Sequence, residues 1–343
     1  MSKPNNGKPR IVIYGAGQYG LEAARIAIAR GWPIVAALNH PGAKVGQDLG
    51  RLAGLDRDLG VVVQNCETTD CASIKADVAI VATTDRLARN LPAYEKLLGA
   101  GLNVICHGAE AYFPQGANPE IAKTIDALAK RNDATFTGTG IWDFSRIWSG
   151  ILIAGPSTQI KSFFHKSVTD AEAANLPLML VCGVSLTQED YARTMLGKLG
   201  IISGLYKLIP HHVLHALGYR VTKVTEHMEP VLSDKPVHCR MLDRTLEPGV
   251  CLGTRIIAAV ETEEGVGATT HIELRILPEG EVEHMMWTID GMPASKIRVD
   301  RTNAVHTSAA CMVNRVPDVM AAPAGIRLVS QLGPLLPRLA EPR

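Results

Sequence analysis

A short apolar run followed by a glycine pattern constrains this chain more than any other stretch: Arg10-Ile-Val-Ile-Tyr-Gly-Ala-Gly-Gln-Tyr-Gly20. Ile11, Val12 and Ile13 predict a strand buried on both faces. Gly15, Gly17 and Gly20 follow as G-x-G-x-x-G, and residues 21–30 read as a helix. Each glycine has its own task. Gly15 permits the tight turn, Gly17 lets backbone approach a pyrophosphate, and Gly20 lets the helix pack closely on the strand. The free N–H groups at the helix start then face the phosphates, so Gly15, Gly17, Gln18, Tyr19 and Gly20 are expected along a dinucleotide. The plainer alternative is a glycine-rich turn without a ligand.

Composition narrows the class. A chain of 343 residues suggests about two domains. With 46% hydrophobic and 20% charged residues it reads as an ordinary globular protein. A formal charge of +1 gives no reason to expect nucleic acid or an anionic membrane as partner. No apolar run reaches the ~18 residues needed to span a bilayer. The first nine residues lack a signal-peptide core, and the seven scattered cysteines include no C-x-x-C. Reduced thiols, no metal site and a cytoplasmic location are the expectations.

After the first helix, residues 33–38 predict a second buried strand, ending at Asn39 and His40. An acidic residue near this point takes the ribose hydroxyls in NAD-specific folds. The neutral Asn39, with His40 and Lys44 near, leans towards NADP, or acceptance of both cofactors. Strands follow at 60–63, 76–82, 102–106 and 135–137, with helices at 87–98 and 119–130 between them. This alternation argues a parallel, Rossmann-type sheet. Thr83 and Thr84 close the fourth strand, where doubly wound sheets bind ligands, and Gly108 follows the fifth.

Beyond Gly138-Thr-Gly140 the pattern changes. A helix is expected at 141–154, a strand at 159–168, helices at 186–199 and 210–217, and strands at 252–262, 268–277 and 282–290. The reading is an N-terminal Rossmann domain at 1–140 and a C-terminal α+β domain at 141–330 with a mostly antiparallel sheet. A helix within 305–325 is expected to return to the first domain, and residues 336–343 to form a loose tail.

Eight of the sixteen aromatic residues fall between Tyr112 and Phe164. Phe136 and one of Phe163 and Phe164 are expected to fill core. For Trp142, Phe144 and Trp148 a pocket wall and a core role stand level. Phe164 and His165 are added as candidate pocket residues. Glu110 is the ionisable residue singled out, after the fifth strand and beside Tyr112 and Phe113. Partial desolvation there would make it a better base, able to hold a substrate ammonium or take its proton; the alternative is an exposed loop glutamate. His211 and His215 share a helical face, yet without an H-E-x-x-H element they are read as structural or surface residues. Cys106 has no basic partner and is not read as a nucleophile.

Taken together, these residues resemble the 2,4-diaminopentanoate dehydrogenase group and the native amine dehydrogenases, and more distantly dihydrodipicolinate reductase. The resemblance is carried by Gly15-Ala-Gly-Gln-Tyr-Gly20, Glu110 ahead of Pro114, Gly138-Thr-Gly140, Ala216-Leu-Gly218 with Glu229-Pro-Val231, and Val313-Asn-Arg-Val-Pro317 with Ala322-Pro-Ala-Gly325. It implies NAD(P)-dependent oxidative deamination of an amine, reversible as reductive amination of a ketone or aldehyde with ammonia, in a homodimer. A glutamate at the position of Glu110 binds ammonia or the amine nitrogen and relays protons. One departure stands out. Trp142-Asp-Phe144 replaces the Asn-Pro-Gly common in the wider group, which implies a small apolar pocket. A diamino acid substrate would need a cation for its carboxylate, for which Arg146, His165 and Lys166 are near in sequence. The alternatives are therefore a 2,4-diaminopentanoate dehydrogenase, or an imine or carbonyl reductase independent of ammonia.

Overall fold

The computed structural model describes residues 7–172, 176–198 and 204–337. The chain forms two compact units, one of Met1–Phe144 with Asn303–Arg343 and one of Ser145–Thr302.

The first unit is built on an all-parallel sheet. Its strands are β1 (Ile11–Tyr14), β2 (Ile34–Asn39), β3 (Val63–Asn65), β4 (Val78–Val81), β5 (Asn103–Cys106), β6 (Thr135–Gly138) and a short strand Gly325–Ile326. They lie in the order β3-β2-β1-β4-β5-β6, with Gly325–Ile326 paired beyond β6. That is the order of a dinucleotide-binding sheet, with its reversal point between β1 and β4. The four residues of β1 and the four of β4 are wholly buried, as expected for central strands covered on both faces. Helices α1 (Gln18–Ala29), α2 (Leu87–Gly99), α3 (Pro119–Arg131) and α4 (Ala304–Ala321) belong to this unit. On α1, Gly20, Ala23, Ala24 and Ala27 face inward, so the helix lies close to the sheet. Ala309, Met312, Val313, Val316 and Val319 of α4 share that core with Ile11, Ile13 and Ile80. Two expectations need correction. The third strand comes later than residues 60–63, and the sheet gains a seventh strand from the Ala322-Pro-Ala-Gly325 segment, which is too short to show a period of its own.

The second unit carries a six-stranded mixed sheet. β7 (Gln159–Asp170), β8 (Val221–Leu232), β11 (Cys251–Thr262), β12 (Gly267–Arg275), β13 (His284–Met292) and β14 (Ser295–Asp300) lie in the order β14-β13-β7-β12-β11-β8, with β9 (Val237–Cys239) and β10 (Arg244–Leu246) as a separate hairpin. The pair β7–β12 is parallel and the other pairs are antiparallel. Alternation divides the sheet. Phe163, His165 and Ser167 face the side where Trp287 is buried; Phe164 and Lys166 face the other. The expected helix at 141–154 is not one regular helix. Residues Asp143–Trp148 take a wide π-helical turn before Ser149–Ala154 resumes the α-helix. Among the described residues no helix is long and apolar enough to cross a membrane.

Candidate active site

The loops at the carboxyl ends of β1, β4, β5 and β6 carry most of the singled-out residues. At the end of β1 the three glycines stand in three different settings. Gly15 has a φ of +100° and stands so close to β4 that a Cβ would meet Ala82 O at 2.5 Å. On Gly20 a Cβ would lie 2.0 Å from Gly15 O, which explains the close helix–turn contact. Around Gly17 nothing lies within 4 Å of the added atom. The α1 N-terminus has no side-chain cap either. Open backbone and uncapped N–H groups together fit a dinucleotide pyrophosphate. Gln18 is exposed beside them and Tyr19 half-buried.

Asn39 and His40 part company. The Asn39 Oδ1 accepts the Ala16 N–H at 3.0 Å, and Lys44 Nζ donates to Ala16 O at 2.6 Å. Asn39 and Lys44, two of the three side chains expected near the ribose, thus clamp the Ala16 peptide inside the glycine turn. His40 remains largely exposed, its Nδ1 3.9 Å from Glu67 Oε1.

At the end of β4, Thr83 Oγ1 donates to Asn90 Oδ1 at 2.6 Å and Asn90 Nδ2 donates to Thr84 O at 2.7 Å. Asn90 is a buried residue of α2 that sequence reasoning passed over. Gly108 closes against the same segment: a Cβ there would stand 2.4 Å from Thr84 O.

Glu110 sits in the short turn Ala109–Tyr112 after β5. Its side chain is 15% exposed, so the exposed-loop alternative fails. Tyr112 and Phe113 are buried beside it, but what faces the carboxylate is polar: Arg86 Nη1 donates to Oε1 at 2.9 Å and the Leu87 N–H donates to Oε2 at 2.7 Å. Ahead of it, His107 stacks on Tyr19 with ring centroids 4.0 Å apart, and its Nε2 lies 3.3 Å from Ser308 Oγ. Burial, only partly opposed by the Asp85 carboxylate, holds His107 below the usual histidine range. Cys106 is fully buried, 2.9 Å from Tyr94 Oη; desolvation pushes its thiol up to about 11, which leaves it no thiolate to attack with.

Past β6 the Gly138-Thr-Gly140 turn is packed without slack. A Cβ on Gly138 would meet the Ala111 carbonyl carbon at 2.1 Å. One on Gly140 would meet Tyr112 Oη at 2.7 Å. Trp142, half-buried, donates its backbone N–H to Tyr112 Oη at 3.3 Å and tilts its ring against Tyr112 at 5.3 Å. Phe144 is half-buried. Asp143, between them, is fully buried and takes two hydrogen bonds from Arg315, Nε to Oδ2 at 2.7 Å and Nη2 to Oδ1 at 2.8 Å. The Thr139 hydroxyl donates to the same carboxylate at 2.8 Å. Arg315 comes from the Val313-Asn-Arg-Val-Pro317 segment, so two motifs far apart in sequence form one ion pair.

Within the second unit His165 is fully buried, edge-on to Trp287 at 4.6 Å. Burial, and then the Arg146 guanidinium, hold it well below the usual histidine value. Arg146 Nη2 donates to Ser167 Oγ at 3.0 Å, and Trp287 Nε1 donates to Arg146 O at 2.7 Å. Trp148 is half-buried. Phe164 does not join this group. It lies on the opposite face of β7, edge-on to His271 at 5.0 Å, because successive strand residues point opposite ways. Phe163 is the core member of the pair, as is Phe136 in the first unit. Lys166 also faces away and pairs with Glu273 at 3.4 Å. Burial works against the Glu273 charge, but Arg275, Lys166 and Arg255 outweigh it and hold that carboxyl at about 2. All seven cysteines are buried free thiols. Among the described residues no group of three His, Cys, Asp or Glu could hold a metal ion.

Residues 150–338 match the family model of the 2,4-diaminopentanoate dehydrogenase C-terminal domain, more than half of the chain. The chain belongs to that family. The 2,4-diaminopentanoate dehydrogenase of Acetoanaerobium sticklandii is 24% identical over 239 residues, 66% of this chain and 65% of that enzyme, so the match spans less than two thirds of the relative's length. The amine dehydrogenase from Mycobacterium smegmatis superposes with a TM-score of 0.82 at 28% identity, covering 98% of this chain and 99% of that one. Biliverdin reductase from a Synechocystis species, solved with biliverdin and NADP+, superposes with a TM-score of 0.56 at 12% identity over 94% of each chain; it shares the fold.

Proposed function

We propose that this family member is a cytoplasmic NAD(P)-dependent amine dehydrogenase, converting a small amine and water to a ketone or aldehyde and ammonia, and running in reverse as reductive amination. The observation that carries this reading is the sheltered Glu110 carboxylate at the end of β5, next to the β4 end and one strand further from the glycine turn. Family membership and the likeness to the Mycobacterium smegmatis enzyme support it. When bound, the nicotinamide accepts the hydride in deamination and supplies it in amination. Glu110 accepts hydrogen bonds from ammonia or the amine nitrogen and takes or returns the proton that must move as the C–N bond changes order. Trp142 and Phe144 provide apolar walls. The glycine turn and the α1 N-terminus hold the pyrophosphate, Thr83, Thr84 and Gly108 border the dinucleotide, and exposed His40 gives a 2′-phosphate a donor, so both cofactors are accepted with a lean towards NADP. The working form is a homodimer.

Changing Glu110 to Gln is the test. Gln keeps an acceptor for the Leu87 N–H but cannot carry the proton. Turnover of small aliphatic ketones and aldehydes with ammonium should fall by about 10²–10⁴-fold while cofactor binding, followed by nicotinamide fluorescence, is retained. Near-normal rates would end the proposal. A second reading, a diamino acid substrate, is favoured by the buried Arg146 guanidinium, a group able to hold a carboxylate. Comparing 2,4-diaminopentanoate with simple amines, against both cofactors, decides between the two.

A further inference from the structure

Helix α2 starts without a cap from its own N-cap residue, Arg86. Glu110 provides the cap, 24 residues further along the chain, because its Oε2 accepts the Leu87 N–H. One carboxylate therefore meets a helix N-terminus and a guanidinium at the same time. The two holds are unequal. The Leu87 N–H is fixed by backbone, whereas Arg86 is a long side chain, 32% exposed, with its Nη1 on Oε1. A fixed hydrogen bond orients the carboxylate, and a cation that water still reaches is one that another cation can replace.

Ammonium is such a cation, compact, strongly hydrated and rich in N–H donors. The other ionisable groups near the carboxylate have surroundings of their own. The Asp85 Oδ1 is turned to the Ala109 N–H at 3.0 Å. Burial holds the His107 ring below the usual histidine range and pushes the Tyr94 phenol well above its own. Arg86 is the positive charge that an arriving ammonium meets at Oε1.

We propose that Arg86 is a positioning residue that competes with ammonium for Glu110 Oε1 and so sets the ammonium concentration at which amination runs. This rests on the reading of Glu110 as the ammonia-binding acid/base. In Arg86→Gln the competitor is gone while the Leu87 N–H still orients the carboxylate. The KM for ammonium, measured with ammonium chloride and the fastest carbonyl substrate, should fall about fivefold, the ratio that ~1 kcal/mol of a partly exposed ion pair gives. The KM for the carbonyl compound and the affinity for NADPH should stay at wild-type values. Arg86→Lys, which keeps the charge, should restore the wild-type ammonium KM. Arg86→Met repeats the test with a different neutral side chain in case Gln perturbs the fold. A merely structural role at the start of α2 would lower the melting temperature and shift all three constants together, which overturns the proposal. So does an unchanged or raised ammonium KM in folded Gln and Met variants. Full activity of Glu110→Gln would remove the acid/base reading and this inference with it; an inactive Glu110→Gln beside an unmoved ammonium KM removes this inference alone.

Discussion

Two carboxylate–arginine pairs stand at neighbouring strand ends of the first unit. Beyond β5, Glu110 meets Arg86 at 2.9 Å, with the side chains 15% and 32% exposed. Beyond β6, Asp143 meets Arg315 through two bonds, with both side chains fully buried. Arg315 also donates to Gly333 O at 2.9 Å, and Thr139 to Asp143, so little in that cluster is left to exchange. Water explains the difference. A pair sealed from solvent has lost its hydration and must keep its partners, since removing one strands a buried charge. A pair that water still reaches is worth little to stability and can trade one cation for another. A carboxylate and an arginine thus give a fastener at β6 and, in our reading, a working group at β5.

The sharpest break of that contrast is a crossed measurement. Glu110→Gln should cost about 10²–10⁴-fold in turnover and leave the unfolding midpoint nearly where it was. Asp143→Ala should do the reverse, losing about 3–5 kcal/mol in urea unfolding because the buried Arg315 loses both bonds to Asp143 and keeps only Asp318 and the carbonyl oxygens as partners. If Glu110→Gln unfolds the protein, or Asp143→Ala is as stable as wild type, the contrast fails. A smaller effect sharpens it from the second unit. Burial, with help from His215 and His211, holds His212 at about 3 against an ordinary 6.5. The folded state therefore keeps it neutral while the unfolded chain takes up a proton below pH 6.5. Its contribution is complete above that value and is lost as pH falls, by about 1.4 kcal/mol per pH unit. His212→Phe should flatten the dependence of unfolding free energy on pH between neutrality and pH 4; an unaltered slope would show that other groups carry it. The smallest change is expected from Phe164→Ala. With the ring on the face of β7 opposite to His165, amine KM should hardly move, and a large rise would contradict that assignment.

Much of the fold was legible along the chain because its signals are local. A β-branched run, a glycine pattern and a helix within some twenty residues identify the first βα unit, and their repetition identifies the parallel sheet. The short strand Gly325–Ile326 was not legible, since two residues have no period and only β6 makes them a strand. The interruption at Asp143–Trp148 was missed for a related reason: a π-turn keeps a helical pattern of apolar residues. Among the candidate site residues, Glu110 was readable from its place after the fifth strand. Its surroundings were not. The neighbours in sequence suggested aromatic desolvation, and the neighbours in space are Arg86 and a helix N-terminus. Asn39 was correctly placed at the end of β2, but its amide turns back to Ala16.

By itself the sequence determined which segments become strands and helices, where the glycine turn falls, and which strand ends gather ionisable residues, because backbone sterics and burial periodicity act over a few residues. Only the tertiary structure decided which acid is fastened and which stays accessible to a second cation. That choice depends on what arrives from elsewhere in the chain, an arginine 172 residues away for Asp143 and one 24 residues away for Glu110, and on how completely each pair is shut off from water.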